Sequence, residues 1–454
     1  MKDGLGEWSL TELRSALEGR EISVVEAVRA CLERIAAEND ELRTFVSVAS
    51  HQAQSAALNA DQHRAPETMA SRGEHGALWG VPVAVKDLID VRGMCTTAAS
   101  CVLEGEAPAA SDAECVRRLH AAGAIVLGKT NLHEFAYGVT GAVSAYGAAR
   151  NPLDRARVCG GSSSGSAAAL AAGMCFGALG TDTAGSIRLP AACCGVVGFK
   201  PTWGAVPVSG VIPLAWSYDH VGPMARTVED VGVLFSVLTE EAPQWTPANR
   251  SQSKQLICGV GRRYFCEGLA PEVEAGFERA LDAARRLGWS LREVEIQISD
   301  ECAESLAFHE KWINAESWGY HKKWMEKRSA LYDPRTLPRI MNGKGVPFEE
   351  YVEARRELEL MRERSRSGVE GVDVLLTPTS PILPPMLEEI MDPTAHALEL
   401  ELKMLRNTSP FDVLGWPTVT VPCAAMVGVQ VSAGRGEDWL TLSAARELEG
   451  ALPR

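Results

Sequence analysis

The sequence predicts an α/β protein in which helices alternate with short buried strands. Residues 24–39 have apolar side chains at every third or fourth position, as amphipathic helices do. Short runs rich in β-branched residues, such as 81–85 and 124–131, are typical of buried strands. With 454 residues, of which 46% are hydrophobic and 23% charged, the chain can bury a sizeable core.

The N-terminal residues 9–62 are predicted to be helical and to serve packing alone. Ser23 and Glu26 have the spacing of a capping box at the start of the main helix. The first predicted strand then delivers Lys86 at its end. Because lysine is rarely buried without a partner, the ordinary interpretation is a surface lysine or a salt bridge to Asp87.

Two turns rich in glycine and serine characterise residues 158–190. Ser162 lies in the first turn, residues 181–186 form the second, and a helix of small residues joins them. Glycines in such turns permit positive φ and close approach of the backbone. One such cluster would be an ordinary loop. Two joined clusters lead us to expect a pair of adjacent serines, one a nucleophile and the other a proton relay.

The rest of the chain repeats the alternation. The polar stretch 243–254 contains proline and is the best candidate for an internal boundary. Beyond it we predict a strand–helix–strand return, a long helical region rich in charge and Trp, two strands closed by proline and a last helix, at 256–261, 271–287, 291–296, 301–364, 373–379, 418–422 and 438–452.

Composition excludes several classes of function. A net charge of −14 disfavours binding to nucleic acid or acidic membranes, and the longest weakly polar run is shorter than a membrane span. Twelve cysteines without a C-x-x-C pair argue against a zinc ribbon and favour a reducing compartment. The first residues lack the apolar core of a signal peptide, so we expect a cytoplasmic protein.

Common catalytic motifs are absent or misplaced. Ser163 is the centre of a G-x-S-x-G pattern, but polar residues precede it where a nucleophile elbow requires a buried strand. The sequence contains no P-loop or HExxH motif, and its nine scattered histidines suggest neither a metal cage nor a His-based triad. Without a histidine base, a serine hydrolase needs a group such as a buried lysine, whose pKa must fall from about 10.4 to roughly 7 to 8.

Five sequence blocks, at 80–87, 160–173, 180–191, 198–204 and 219–230, strongly resemble the amidase signature family. This family includes the amidase subunit of glutamyl-tRNA amidotransferase and fatty acid amide hydrolase. The resemblance implies one α/β/α domain around a large mixed sheet over residues 1–454. Its parts would be N-terminal helices at 9–62, a signature core at 78–240, a variable substrate-facing region at 255–400 and a C-terminal return at 401–454.

The resemblance also implies a role for each site residue. Lys86 matches the lysine base, Ser162 the serine held by a cis peptide, and Ser186 the nucleophile. By the same resemblance, the oxyanion hole would be formed by the backbone amides of the turn around the nucleophile, at Thr183, Ala184, Gly185 and Ser186. A salt bridge between Asp182 and Arg188 would hold this turn in place.

The implied activity is hydrolysis of a small carboxamide through an acyl-enzyme, without metal or organic cofactor. A small-molecule amide would be the partner, with a homo-oligomer or a small partner subunit possible and with no direct contact to nucleic acid or membrane. Residues 133–137 and 301–364 are expected to line the pocket. One alternative is the amidase subunit of a glutamine-dependent tRNA amidotransferase, with Arg339 as a candidate clamp for the glutamine carboxylate. Another is an inactive binding or assembly protein.

Overall fold

The computed structural model describes residues 4–63, 76–245, 255–392 and 395–453, with only the backbone described at 297–311 and at 395. Within these ranges the helices α1 to α15 are Leu10–Glu18, Val24–Leu42, Ser50–Gln62, Glu114–Ala121, Ser164–Ala171, Arg188–Cys194, Val228–Thr239, Pro271–Arg286, Gln297–Arg328, Leu337–Asn342, Phe348–Arg364, Leu387–Met391, Ala395–Leu405, Ser409–Leu414 and Asp438–Ala451. The strands β1 to β11 are Phe45–Val48, Pro82–Lys86, Ile125–Thr130, Gly177–Asp182, Val197–Lys200, His220–Ala225, Ile257–Val260, Ser290–Glu293, Val374–Pro378, Thr418–Ala424 and Val427–Ser432.

The described strands form one mixed sheet in the order β1-β3-β2-β4-β6-β5-β10-β11-β9-β7-β8. Parallel pairs lie towards both ends of the sheet, and antiparallel pairs from β4 to β9 connect them. Nearly every residue of the central strands is buried, as expected when helices cover both faces of a sheet. The α/β class and the large mixed sheet are therefore confirmed.

The position of the site follows from two neighbouring parallel strands. β2 and β4 pair in parallel, with Val85 opposite Leu179, so that their carboxyl ends meet at the same edge of the sheet. Lys86 is the last residue of β2, and Asp182 is the last residue of β4. Ligands of α/β sheets bind at this edge, outside the carboxyl ends of the strands. The turn that contains Ser186 follows directly after β4.

A close backbone approach places α5 beside the same edge. A Cβ atom added to Gly165, in the first turn of α5, would lie 2.3 Å from the carbonyl oxygen of Thr44 and 2.5 Å from the amide nitrogen of Asn131. Only glycine fits this position without moving the backbone. The small residues of the 160–173 block therefore let α5 press against the end of β3.

Most elements lie where the sequence predicts them. The capping box of Ser23 and Glu26 is present at the start of α2, and the hydroxyl of Thr227 accepts a hydrogen bond from the amide of Asp230. Residues 9–62 are not helical throughout, because β1 interrupts them and pairs with the edge of β3. The loop near residue 425 is a tight hairpin between β10 and β11.

The predicted boundary at 243–254 lies largely outside the described residues. Beyond it, β7 and β8 join the same sheet through β9. No helix of the described chain is both long and apolar enough to cross a lipid bilayer.

Candidate active site

The structure brings Lys86 and Ser162 together in the interior. The Nζ atom of Lys86 lies 2.7 Å from the Oγ atom of Ser162 and 2.7 Å from the Oγ1 atom of Thr181. Both Lys86 and Ser162 are fully buried. Asp87 pairs instead with Lys129 at 2.9 Å, because successive residues of a strand point to opposite faces. The salt bridge between Lys86 and Asp87 considered from the sequence is therefore not formed.

The surroundings of Lys86 favour its neutral form. Burial lowers the pKa of Lys86 to about 7, although the negative charges of Asp182 and Asp219 oppose this shift. A neutral amine can accept the proton of the Ser162 hydroxyl while its own hydrogens are donated to Thr181. The geometry and the lowered pKa together make Lys86 suited to act as a base near neutral pH.

Backbone and side-chain hydrogen bonds join the two serine turns. The amide of Ser163 donates to the carbonyl of Ser186, and the Ser163 hydroxyl donates to the carbonyl of Thr181. The carbonyl of Ser162 accepts from the amide of His133, and the peptide bond between Gly161 and Ser162 is cis. Ser162 and Ser186 thus lie on adjacent turns that hydrogen bonds join.

The carboxylate of Asp182 organises the nucleophile turn. It accepts hydrogen bonds from the amides of Gly185 and Ile187 and pairs with the guanidinium of Arg188 at 3.0 Å. Burial raises the pKa of Asp182, but the Arg188 charge more than offsets this and holds it well below its usual range. The bracing contact predicted between Asp182 and Arg188 is present, and it curls the backbone around Ser186, which is 4% exposed.

The sequence predicts the amide of Gly185 as an oxyanion donor, but in the structure this amide is already hydrogen-bonded. It donates to Asp182, because the hydroxyl of Thr408 donates to the carbonyl of Ala184 and so fixes the orientation of that peptide. Gly185 therefore braces the turn. The amides of Thr183, Ala184 and Ser186 remain as candidate oxyanion donors.

A buried charge network supports the turn from behind. Arg188 also donates to the Asp412 carboxylate, to the Gln430 side chain and to the carbonyl of Thr408. All of these groups are buried. Neither composition nor spacing indicated that segments more than 200 residues apart meet at Arg188.

Asp219 holds the other side of the turn. Its carboxylate accepts from the Thr183 hydroxyl at 2.7 Å and from the amides of Leu214 and Ala215. Burial raises the pKa of Asp219 to about 7. Sequence reasoning missed both Asp219 and the acceptor Thr181, although both lie within recognised blocks.

The predicted pocket residues are only partly adjacent to the site. His133 contacts Ser162 through its backbone, as described above, and its ring lies against Gly138. Arg339 donates to the carbonyl of Tyr137 and forms an ion pair with Glu401, so its guanidinium is already engaged. No group of three or more His, Cys, Asp or Glu side chains in the described chain is arranged to hold a metal ion.

The mixed sheet and its buried lysine–serine pair define an α/β enzyme of the hydrolase class. The chain belongs to the Amidase family, whose model matches residues 26–442. It is an amidase-family hydrolase, as the sequence blocks led us to expect.

Individual relatives span the whole chain. A glutamyl-tRNA(Gln) amidotransferase subunit from Roseiflexus sp. (strain RS-1) is 35% identical over 96% of this chain and 95% of its own length. A solved structure of 6-aminohexanoate cyclic dimer hydrolase with substrate has a TM-score of 0.87 at 27% identity, covering 99% of this chain and 98% of the other. The corresponding amidotransferase subunit from Thermotoga maritima has a TM-score of 0.77 at 30% identity, covering 100% and 96%.

Proposed function

We propose that this protein hydrolyses the C–N bond of a small carboxamide through an acyl-enzyme on Ser186. The observation that carries the proposal is the buried Lys86 amine, 2.7 Å from the Ser162 hydroxyl and with its pKa lowered to about 7. A lysine held neutral and hydrogen-bonded to a serine is suited to activate a nucleophile without histidine. Ser162 then relays the proton between Lys86 and Ser186.

In the first half-reaction the proton moves along this chain of groups. Neutral Lys86 accepts the Ser162 proton, Ser162 accepts the Ser186 proton, and the Ser186 oxygen bonds to the amide carbon. The backbone amides of Thr183, Ala184 and Ser186 stabilise the oxyanion. Fixed donors of this kind contribute roughly 3 to 4 kcal/mol each to the transition state.

The tetrahedral intermediate then collapses. Ser162 returns a proton to the leaving nitrogen, the C–N bond breaks, and the amine or ammonia departs. Water enters the site, gives up a proton through the same relay and attacks the acyl carbon. The C–O bond to Ser186 breaks, which releases the carboxylic acid and restores the serine.

A second function has specific support. Relatives that are about 35% identical over nearly the whole chain are named as amidotransferase subunits. Against this, the TM-score is higher for the cyclic amide hydrolase than for the Thermotoga protein, and Arg339, the candidate clamp, is paired with Glu401. We therefore favour the free amidase over the amidotransferase function, and both over an inactive binding protein.

Ammonia release from a panel of amides, ureas and biuret-like compounds tests the proposal. The purified chain alone should release ammonia from at least one small amide, and Ser186→Ala should abolish this release. Release from glutamine alone, and only after partner proteins are added, would establish the amidotransferase function instead.

A fluorophosphonate probe tests the nucleophile without knowledge of the substrate. It should label the native protein and fail to label Ser186→Ala. Ser55→Ala is the control, since it removes a serine hydroxyl from an exposed position of α3 and should leave the labelling unchanged. Labelling that persists in Ser186→Ala would exclude Ser186 as the nucleophile.

A further inference from the structure

A cavity of about 320 Å³ lies between α9, α11 and the loop before β6, and none of its lining residues belongs to the candidate active site. The segment after α10 closes one side. It passes so close to α9 that a Cβ atom on Gly343 would lie 1.8 Å from the carbonyl oxygen of Asn314. Glycine at this position therefore brings the rest of that segment against the cavity.

Aromatic side chains are concentrated in the wall of this cavity. Trp216, Trp318, Phe348 and Tyr351 all line it, although aromatic residues make up only 6% of the chain. Phe348 is 74% exposed and Trp216 46% exposed, so two of these rings stand at a rim that solvent reaches. Large exposed aromatic side chains grouped around a concave site are a feature of ligand-binding surfaces.

A single buried carboxylate lines the same cavity. Glu316 is 1% exposed and accepts hydrogen bonds from the amide of Ser217 and from the Tyr351 hydroxyl, each at 3.0 Å. A carboxylate offers about four acceptor positions, so these two bonds leave capacity for a ligand. Burial raises the pKa of Glu316, although the charge of Arg355 opposes this shift, so a further cation in the cavity would add to the stabilisation of its negative charge.

A lysine of the chain lies against one aromatic wall of the cavity. The Lys344 ammonium lies 5.8 Å from the centre of the Trp318 ring, within the range of a cation–π contact. The face of Trp318 is therefore oriented so that it can receive a positive charge. Lys344 is exposed, and its flexible side chain can leave this position when another cation enters.

We propose that this aromatic cavity binds a small organic cation, an alkylammonium or quaternary ammonium group, with its charge between Glu316 and the aromatic rings. Aromatic ring faces and a carboxylate both attract cations, since the ring faces have a negative electrostatic potential and the carboxylate has a negative charge. An anion would meet the buried Glu316, and a purely apolar ligand would leave that carboxylate unmatched. The cation satisfies both features.

The cavity is joined to the nucleophile turn by one short loop. Ser217, whose amide donates to Glu316, is two residues from Asp219, whose carboxylate accepts from the Thr183 hydroxyl. The cation could thus belong to the amide substrate itself or to a separate small molecule. The chemistry recognised is the same in both cases, and kinetics can separate them.

Calorimetric titration of the full-length protein with choline tests the site without requiring turnover. Choline should bind saturably, and its uncharged isostere 3,3-dimethyl-1-butanol should bind at least tenfold more weakly, since the two differ only in charge. Glu316→Gln should weaken choline binding at least tenfold, and Lys344→Met should strengthen it by removing the competing ammonium. Equal binding of choline and the alcohol, or unchanged binding by Glu316→Gln, would overturn the proposal.

Two further variants guard against indirect effects. Lys322→Met removes one positive charge from an exposed position of α9 outside the cavity and should leave choline binding unchanged. Phe348→Ala truncates an exposed rim residue, so it should fold normally and still weaken binding; full affinity in this variant would also contradict the site. If Glu316→Gln does not fold, the opposed effects of Phe348→Ala and Lys344→Met decide.

Choline added to the amidase assay then separates the two sources of the cation. An increase in KM alone indicates that the substrate carries the cationic group, and a change in kcat indicates a separate ligand. Failure of the proposed amidase activity would leave the binding result intact, because the titration does not depend on turnover.

Discussion

The burial of Lys86 should determine how the reaction depends on pH. Its pKa is lowered to about 7 by burial, and only the neutral amine can accept the Ser162 proton. We predict that kcat/KM rises about tenfold per pH unit below pH 7 and levels off above it. Initial rates between pH 5 and 9 measure this. Lys86→Met should remove the activity at every pH, and retained turnover would mean that another base serves.

The hydroxyl of Thr181 should tune this pKa. It accepts from the Lys86 amine at 2.7 Å, and an acceptor stabilises the charged ammonium more than the neutral amine. Thr181→Val keeps the shape and removes the acceptor, so the rising limb of the pH profile should move to lower pH by about half a unit to one unit. Thr130→Val is the control, because that hydroxyl lies on the neighbouring strand β3 and pairs with Ser166 of α5. An unshifted profile in Thr181→Val would contradict this role.

The sequence identified some of the individual site residues and missed others, and the difference has a physical reason. Lys86, Ser162 and Ser186 lie in blocks whose composition is unusual, and the structure confirms that Lys86 and Ser162 meet. The partners Thr181 and Asp219 are ordinary residue types whose importance depends on which side chain they face. That information is absent from the local sequence until the strands are placed beside one another.

Among the elements, the nucleophile turn depends on a buried ion network. Arg188 lies between the carboxylates of Asp182 and Asp412, and all three side chains are buried. Arg188→Met would leave two buried carboxylates facing each other, which should reduce the free energy of unfolding by about 3 to 5 kcal/mol.

Urea unfolding of the wild-type protein and the variants measures this loss. Arg285→Met is the control, since its ion pair with Asp282 is more than half exposed on both sides and should change stability by less than about 1 kcal/mol. Similar losses in the two variants would show that the network does not stabilise the turn.

The same turn also depends on a missing side chain. Gly185 has φ of 140°, and a Cβ atom there would lie 2.3 Å from the Thr408 hydroxyl oxygen. Gly185→Ala should therefore displace the turn and lower kcat at least a hundredfold, while the sheet remains folded. Kinetics and circular dichroism measure these two effects. Gly450→Ala has open space around it in α15 and should keep full activity.

The hairpin between β10 and β11 shows how one element reaches the site. A tight turn at Met426, with φ of 58°, joins the two strands. Its consequence for the site was not predictable. The hairpin carries Gln430 to Arg188, and this contact exists only because β5 and β10 are neighbours in the sheet.

For the whole molecule, the order of the strands is the part that the sequence could not supply unaided. Local patterns predicted most strands, whereas β5 pairs with β10 more than 200 residues away, and β1 was taken for helix. Pairing depends on contacts between distant segments, which periodicity does not record. The resemblance to a family supplied the large mixed sheet instead.

The buried ionisable groups together determine how stability depends on pH. Burial lowers the pKa of both Lys86 and Lys200 to about 7, while an unfolded lysine titrates near pH 10.4. Between these values the unfolded chain binds more protons than the native one. Each lysine therefore raises the free energy of unfolding as the pH increases, by up to about 1.4 kcal/mol per pH unit.

Buried cysteines act in the opposite direction at higher pH. Burial raises the pKa of Cys115 and Cys175 to about 12, and those of Cys193 and Cys194 well above the ordinary value. Unfolded thiols lose their protons near pH 8.5 while the buried ones retain theirs, so stability falls as the pH rises through this range. Because the buried thiols outnumber the two lysines, the fall should begin at about pH 8.

We therefore predict a maximum in the free energy of unfolding near pH 8, measured by urea titration in reducing buffer from pH 7 to 9.5. Lys200→Met should flatten the rise in stability below the maximum, because only one of the two buried lysines then contributes to that rise. Cys175→Ala should make the fall in stability above the maximum less steep, because one buried thiol no longer contributes to it. Lys322→Met, at an exposed position, should alter neither limb. A stability that declines steadily from pH 7, with the same slope in Lys200→Met, would contradict the contribution of the buried lysines. If Lys200→Met makes the decline steeper, the lysines contribute as predicted and buried acids of raised pKa, such as Asp219, outweigh them.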